Sequence, residues 1–212
     1  MIGTRRSYDL VAERYADELG GELRGKPLDR GVLEVFAELA DGGVVADIGC
    51  GPGHVAAYLA GRGVRAVGMD LSPAMCGMAR RTTSVAVGAA DMTALPVRGQ
   101  SLAGLVCLYA VIHLDEQQRA AAYAEFARVL RPGGHALIAF HTSDADFPVG
   151  GAKMLTEWWG HQVDLTFHYL DPCAESDALA TAGLVPKARL DREPHPDTEH
   201  PSRRSYLLVR RA

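Results

Sequence analysis

Three glycines at alternate positions, Gly49, Gly51 and Gly53, follow an apolar run that contains the acid Asp47. The apolar run, residues 44–48, predicts a buried strand. Glycine after it allows a sharp turn and leaves room for a ligand where a Cβ would collide. In a doubly wound α/β sheet, the turn after the first strand is where a nucleotide-like cofactor binds. The segment therefore predicts a cofactor site.

A second acid, Asp70, ends the next apolar run, residues 64–69, and lies 21 positions after Gly49. This distance fits a strand–loop–helix–strand unit with the carboxylate at the tip of the second strand, where it can accept hydrogen bonds from two ribose hydroxyls. A dinucleotide-binding loop would normally have glycine at the sixth place of the run, but His54 occupies it. The spacing thus indicates a ribose-bearing cofactor and argues against a dinucleotide.

Two histidines, His113 and His141, are candidate general bases. His113 follows the apolar run 102–108 by a few positions, and His141 ends the apolar run 135–140. Both should lie at the carboxyl edge of a parallel sheet, where ligands bind. Because histidine titrates near neutral pH, either side chain could remove a proton from a bound acceptor. The alternative is that each one caps or bridges loop backbone.

Strands alternate with helices through most of the chain, which predicts a parallel sheet with helices on both faces. The last two strands, near 184–190 and 205–209, have no helix between them and should pair antiparallel. We therefore expect an α/β fold with a Rossmann-like, doubly wound seven-strand sheet, mostly parallel with an antiparallel last strand. Further helices are predicted at 7–19, at 54–61 and after each of Ser72, Asp115 and Asp171. Another predicted helix has these apolar residues on one face: Leu28, Val32, Val35, Phe36 and Leu39. A strand is predicted near 84–88, and a tight turn at 131–134 comes before the fifth strand.

The glycine run with its preceding acid resembles motif I of the class I S-adenosylmethionine-dependent methyltransferases, and the resemblance covers nearly the whole chain. The segment Leu105–Tyr109 is similar to motif IV, where the end of the fourth strand faces the transferred methyl group. The segment Ala90-Asp91-Met92 resembles the one that contacts adenine, although Asp91 could instead be a turn or cap residue. Ser7-Tyr8-Asp9 and Arg14-Tyr15-Ala16 resemble the tyrosine motifs that cover the cofactor's methionine portion in the small-molecule branch.

The resemblance implies S-adenosyl-L-methionine as cofactor, S-adenosyl-L-homocysteine as product, and methyl transfer to a small organic acceptor, at oxygen or nitrogen in preference to carbon. It implies no metal ion, because Tyr109 and His141 stand where magnesium-dependent members carry acids. The residues that it implies for cofactor binding are Tyr8, Tyr15, Asp47, Gly49, Cys50, Gly51, Asp70, Leu71, Met75, Asp91, Met92 and Tyr109.

The chain is expected to form a single methyltransferase domain over residues 1–212. Its parts are the N-terminal helices (1–43), a cofactor-binding core (44–141), a lid-like insertion (142–170) and the last helix with a C-terminal strand pair (171–212). The insertion carries Trp158, Trp159 and Phe167, whose aromatic side chains would form apolar walls of an acceptor pocket. The alternative is that both tryptophans only anchor the insertion to the core.

Charge and cysteine content limit the partners of the chain. The formal net charge of −4 argues against a general attraction to nucleic acid. The four cysteines form no CxxC pair, which favours reduced thiols in the cytoplasm. No run approaches the roughly 20 apolar residues of a membrane span. We therefore expect a cytoplasmic monomer or homodimer that binds a small-molecule acceptor and neither nucleic acid nor membrane.

Three other functions stay open at this point. An NAD(P)-dependent oxidoreductase on a similar sheet predicts dinucleotide binding, which His54 and the closing antiparallel hairpin disfavour. A protein that has kept the fold and lost turnover would still need motif I and Asp70, because both serve cofactor binding. A macromolecular acceptor is disfavoured by the acidic net charge.

Overall fold

The computed structural model describes residues 2–212. The strands are β1 (Val44–Ile48), β2 (Arg65–Asp70), β3 (Ala86–Ala89), β4 (Leu102–Leu108), β5 (Leu130–Ser143), β6 (Ala152–Trp158), β7 (His161–His168), β8 (Leu184–Arg192) and β9 (Arg203–Arg211). The helices are α1 (Ile2–Leu19), α2 (Pro27–Leu39), α3 (His54–Ala60), α4 (Pro73–Thr82), α5 (Glu116–Val129) and α6 (Pro172–Thr181), with short 3₁₀ helices at Glu22–Gly25 and Val111–His113. No helix in this part of the chain is long and apolar enough to cross a membrane.

Seven strands form one sheet in the order β3-β2-β1-β4-β5-β9-β8. The strands β1 to β5 pair in parallel, and β9 pairs antiparallel with both β5 and β8. The predicted seven-strand, mostly parallel sheet with an antiparallel last strand is therefore confirmed. The strand order reverses at β1, so the connections that follow β1 and β4 diverge and open a crevice at the carboxyl edge of the sheet.

Separate apolar cores cover the two faces of the sheet. Tyr123 and Phe126 of α5 are buried in one core, and Leu33 and Phe36 of α2 are buried in the other. Phe36 packs over Gly104 in the middle of β4, where an added Cβ would lie 2.7 Å from the Cζ atom of the ring. The close approach of α2 to the sheet therefore depends on the absence of a side chain at residue 104.

Replacing Gly104 by alanine is expected to lower the free energy of unfolding by about 1–3 kcal/mol, the usual cost of overfilling a packed core. The ring of Phe36 is 0% exposed, and side chains in a close-packed core have little room to move. Urea denaturation of the variant and the parent measures the difference. The matched control is Gly77→Ala in α4, where an added Cβ meets nothing within 4 Å and the helix should gain stability. Equal stability of Gly104→Ala and the parent would contradict this account.

The buried face of α2 is not the one that its apolar pattern predicted. The prediction was wrong for Leu28, Val35 and Leu39, which are 48%, 54% and 37% exposed. The buried residues of this helix are instead Asp29, Leu33 and Phe36. The difference arises because the inner face begins with a charged residue, which an apolar pattern assigns to solvent.

Residues 142–170 contain a β-hairpin that the sequence did not predict. β5 continues to Ser143, and β6 and β7 then form a separate antiparallel two-stranded sheet. Trp159 and Gly160 form its turn with φ of +51° and +83°, the combination that suits a tight hairpin, although tryptophan is uncommon there. The segment 131–134, predicted as a turn, is also part of β5 and shifts the register against β4.

Candidate cofactor and acceptor site

The loop after β1 lies at the carboxyl edge of the sheet with three glycines in the left-handed region. The φ angle is +72° at Gly49, +51° at Gly51 and +83° at Gly53. At Gly49 the lack of a side chain is required, because a Cβ would lie 2.3 Å from the Cβ of Ala110 in the loop after β4. The loops after β1 and β4 therefore touch at the point where the strand order reverses, and this is where a ligand is expected.

Two acidic side chains, the buried Asp47 and the partly buried Asp70, hold this loop and the start of α3 in place. Asp47 accepts a hydrogen bond from the backbone N–H of Ala56 at 3.0 Å, and burial raises the pKa of its carboxyl to about 7. Asp70 accepts hydrogen bonds from the N–H groups of Gly51 and Ser72, each at 2.8 Å and each on a different oxygen. Burial also raises the pKa of Asp70. Each oxygen has a further lone pair, so Asp70 can also accept hydrogen bonds from a ligand.

A cavity with about 950 Å³ of empty space, including its open mouth, lies against this loop. Every residue that the motif resemblance implied for cofactor binding lines it, from Tyr8 and Tyr15 of α1 to Tyr109 at the end of β4. Glu22 and Thr4 also line it, and no motif had indicated them. The wall carries four acidic side chains, those of Glu22, Asp47, Asp70 and Asp91, and within residues 2–212 no lysine or arginine lines it. This charge distribution favours a cationic ligand over a phosphorylated one.

His113 lies at the end of the second 3₁₀ helix and lines the cavity. Its Nδ1 atom is 2.9 Å from the carbonyl oxygen of Thr166, which can only accept, so Nδ1 carries a hydrogen. Burial lowers the pKa of His113 to about 4, although the Thr166 hydrogen bond acts in the opposite direction. In the neutral ring Nε2 is an acceptor, and the hydroxyl of Tyr8 donates to it at 2.7 Å. The site therefore holds a neutral imidazole with a fixed tautomer.

His141, near the end of β5, does not line the cavity. Its ring stacks on the ring of Tyr109 with centroids 5.0 Å apart, and its Nδ1 atom is 2.7 Å from the hydroxyl of Ser202. Burial, together with the nearby charge of Arg204, lowers the pKa of His141 to about 3. Of the two histidines, only His113 therefore faces the space that a ligand can enter.

Among the residues that the structure describes, no group of three or more His, Cys, Asp or Glu is placed to hold a metal ion.

Tyr109 is the residue on which His141 stacks, and its backbone conformation is unusual. Its φ of +58° is uncommon for a residue with a side chain and costs on the order of 1–3 kcal/mol. Its N–H donates to the carbonyl of Ala139 at 2.8 Å, and its hydroxyl forms a hydrogen bond with the hydroxyl of Tyr206. Tyr206 donates to Asp29 at 2.6 Å, and Arg192 donates to the other oxygen of Asp29 at 2.8 Å. This buried network holds Tyr109 in place and explains why α2 buries a carboxylate.

Trp158 and Trp159 contact the cavity tyrosines from outside, and Phe167 packs edge to face on His113 with ring centroids 4.7 Å apart. Trp158 meets Tyr8 and Tyr15 edge to face, with ring centroids 6.1 and 5.8 Å apart. Trp159 stacks on Trp158 at 4.6 Å, and the ring of Phe167 lies 6.4 Å from that of Trp158. None of these three residues lines the cavity in this structure. The hairpin therefore covers α1, and α1 covers the cavity.

Known proteins resemble this chain in sequence. Residues 45–134 match the methyltransferase domain family. The tRNA (carboxymethyluridine(34)-5-O)-methyltransferase ALKBH8 of Mus musculus is 32% identical over 150 residues, which are 70% of this chain and 21% of that protein. The O-methyltransferase resE of Aspergillus sclerotiorum is 32% identical over 144 residues, which are 63% of this chain and 54% of that protein. This chain thus spans about a fifth and about half of the length of these two relatives.

The fold is shared with solved methyltransferase structures. One is the Burkholderia thailandensis 1,6-didemethyltoxoflavin-N1-methyltransferase with bound 1,6-didemethyltoxoflavin and S-adenosylhomocysteine. Its TM-score is 0.68 at 22% identity, over 98% of this chain and 84% of that chain. The glycine loop and Asp70 both fall inside the segment that matches the family. Residues 45–134 thus match the methyltransferase domain family, and the chain shares its fold with solved S-adenosylmethionine-dependent methyltransferases.

Proposed function

We propose that this protein transfers a methyl group from S-adenosyl-L-methionine to an oxygen or nitrogen atom of a small organic acceptor, without a metal ion, and releases S-adenosyl-L-homocysteine. The main support for this proposal is the set of residues that line one cavity. The glycine loop and Asp70 line it together with His113, whose tautomer is fixed by Thr166. Cofactor-binding groups and a base thus meet at the same edge of the sheet.

The residues present fit this cofactor. Its sulfonium and ammonium groups are cationic, and the cavity wall supplies carboxylates without lysine or arginine among the residues described. The pyrophosphate of a nicotinamide dinucleotide would be repelled there, which argues against an oxidoreductase. We assign the ribose to Asp70, the adenine to Asp91 and Met92, and the methionine portion to the glycine loop. The remaining contacts that we assign come from Tyr8, Tyr15, Asp47, Cys50, Leu71, Met75 and Tyr109.

His113 is the residue that would take a proton from the acceptor. When bound, the cofactor supplies a methyl group that is already electrophilic, so the protein mainly has to align the acceptor and exclude water. An acceptor hydroxyl would replace the hydroxyl of Tyr8 on Nε2 of His113. The carbonyl of Thr166, which already accepts from Nδ1–H, would stabilise the imidazolium that forms.

The aromatic side chains that cover the cavity favour a small acceptor. Tyr8 and Tyr15 close one side, and Trp158 of the hairpin packs on both. Movement of this hairpin would bring Trp158, Trp159 and Phe167 against an acceptor as apolar walls. The name of the O-methyltransferase relative agrees with transfer to oxygen, and the solved N1-methyltransferase has the small molecule 1,6-didemethyltoxoflavin bound.

A tRNA acceptor is the second candidate, because one relative is a tRNA methyltransferase. The net charge of −4 opposes it, since binding to phosphates depends on unpaired lysine and arginine. Incubating the protein with labelled cofactor and bulk tRNA tests this candidate directly. Transfer of label to tRNA, with no transfer to any small acceptor, would replace our proposal.

A thermal-shift screen tests the proposed function. S-adenosylhomocysteine at about 100 times its Kd should stabilise the protein by about 2.7 kcal/mol and raise the melting temperature, and NAD should not. Hydroxyl- and amine-bearing compounds are then added to the loaded protein, and those that raise the melting temperature further are assayed for methylation. A shift with NAD alone would favour an oxidoreductase. Tight cofactor binding with no methylation of any binding acceptor would favour a protein that has lost turnover.

The rate of methyl transfer to a hydroxyl that does not itself titrate should be independent of pH between about 6 and 9. Because the pKa of His113 is lowered to about 4, its ring is neutral and able to accept a proton throughout this range. The rate should fall only as the pH decreases toward that pKa and the ring becomes protonated. Single-turnover rates measured with saturating cofactor test this. A rate that halves near pH 6.5, the ordinary value for histidine, would contradict the lowered pKa of His113 from which this profile follows.

A further inference from the structure

Glu22 lines the cofactor cavity beside Gly51 and His54, although no sequence motif indicates it. It begins the short 3₁₀ helix between α1 and α2, and its side chain is 20% exposed. The family resemblance gives this residue no role. Glu22 therefore lies at the glycine-loop end of the cavity, where it can contact a ligand group.

The carboxylate of Glu22 is held from two sides. Its Oε2 atom accepts a hydrogen bond from Nζ of Lys26 at 2.6 Å, and its Oε1 atom lies 3.2 Å from Nε2 of His54. Burial by itself raises the pKa of Glu22, but the hydrogen bond from His54 and the charge of Lys26 outweigh it and bring the pKa to about 2. The cavity therefore contains a fixed negative charge at neutral pH.

His54 provides a second acceptor at the same place. A carboxylate can only accept, so Nε2 of His54 carries the hydrogen, and in the neutral ring Nδ1 is an acceptor. This Nδ1 atom is buried and has no hydrogen-bond partner within the described chain. An unpaired buried acceptor costs free energy, and because this atom has almost no accessible surface, a ligand donor reaches it only when the ring turns toward the cavity. Glu22 and His54 together thus favour a ligand group that is cationic and has several N–H donors.

We propose that Glu22 and His54 form a subsite for the α-ammonium group of the cofactor's methionine portion. An ammonium group offers three N–H donors and a positive charge, which a carboxylate and a free imidazole nitrogen can satisfy together. Lys26 is a positioning residue, since it contacts the carboxylate and does not line the cavity. The inference rests on the proposed function, because it assumes the same cofactor in the same cavity.

Calorimetric titration of Glu22→Gln with three ligands tests the subsite. The ligands are S-adenosylhomocysteine, its N-acetyl derivative, which lacks the cation, and 5′-methylthioadenosine, which lacks the whole amino-acid portion. The variant should bind S-adenosylhomocysteine about 10- to 100-fold more weakly than the parent, the range for a charge-assisted hydrogen bond. Its affinity for the other two ligands should stay within about twofold, because neither presents an ammonium group to residue 22.

Glu38→Gln, an exposed change on α2, is the matched control and should alter no affinity. Equal weakening of all three ligands by Glu22→Gln would mean that Glu22 only shapes the loop, and this would overturn the proposal. Unchanged binding of S-adenosylhomocysteine would overturn it as well. Failure of the parent protein to bind any of the three would instead disprove the proposed function. Retained binding of 5′-methylthioadenosine shows that the variant is folded.

Discussion

Replacing Asp70 by alanine is expected to weaken the binding of S-adenosylhomocysteine by about two to four orders of magnitude. The carboxylate lies at the tip of β2 and retains a lone pair on each oxygen for two ribose hydroxyls. A hydrogen bond to a charged group contributes about 1.5–3 kcal/mol, so the loss of two amounts to about 3–6 kcal/mol. Isothermal titration calorimetry of the variant and the parent measures the change.

Asp70 also accepts hydrogen bonds from Gly51 and Ser72, so the variant can lose affinity because the loop moves. A cofactor analogue without the ribose 2′-hydroxyl separates the two causes. If Asp70 binds the ribose, the analogue should lose less affinity in Asp70→Ala than in the parent, because part of the contact is already absent. Asp146→Ala, an exposed change in the loop after β5, is the control and should leave binding unchanged. Parent-like affinity in Asp70→Ala would remove this residue from the site.

Replacing His113 by glutamine is expected to slow methyl transfer to a hydroxyl acceptor by about 10²- to 10⁴-fold, the usual contribution of a general base. Glutamine can still donate to the carbonyl of Thr166 and accept from Tyr8, so the local hydrogen bonds persist. It cannot take up the proton. The affinity for S-adenosylhomocysteine should change by less than about threefold, because the base faces the acceptor. Single-turnover rates with an acceptor from the thermal-shift screen measure the effect.

His141→Gln is the comparison that separates the two histidines. His141 stacks on Tyr109 and does not line the cavity, so this variant should keep most of its rate once it is shown to be folded. A larger loss of methyl-transfer rate in His141→Gln than in His113→Gln would mean that His141 is the base. A small loss in both variants would mean that the acceptor reacts without a protein base, as a neutral amine does.

The centre of the site could be predicted because neighbouring residues determine it. The glycine loop needs left-handed backbone at Gly49, Gly51 and Gly53, and all three have positive φ. Asp70 follows directly from the position where β2 ends. The alternation of strands and helices likewise determined the parallel part of the sheet, since each element carries its own periodic pattern. Local patterns of this kind are visible in one sequence.

The outer parts of the site depend on contacts between distant residues and could not be predicted in the same way. Asp29 and Tyr206 are 177 positions apart, yet their hydrogen bond decides which face of α2 is buried. Glu22 is a single acid in a turn, and no spacing links it to His54, which lies 32 positions away. A charged residue on an inner face and an isolated acid both look like surface residues in a sequence.

The hairpin in 142–170 did carry a signal in the sequence. Val163, Leu165 and Phe167 alternate with polar residues, which is the period of a half-buried strand. The aromatic residues of the same segment are equally typical of a lid. The structure shows that the same residues serve as the anchor of a short sheet on α1.

The anchoring of α1 on β7 sets an order of events during synthesis of the protein. Ser7 accepts a hydrogen bond from the N–H of Asp164 at a separation of 157 positions, and Val11 packs beside Val163 and Leu165. The other docking surface of this helix is α4, where Ser72 donates to Asp9 and Met75 packs beside Ala12, and it is synthesised before β7. The β7 side of the helix can therefore pack only after β7 has left the ribosome. A nascent chain halted before residue 160 should therefore leave Ser7 and Val11 of α1 uncovered, and a fluorescent reporter beside these residues would register when the hairpin docks on the helix.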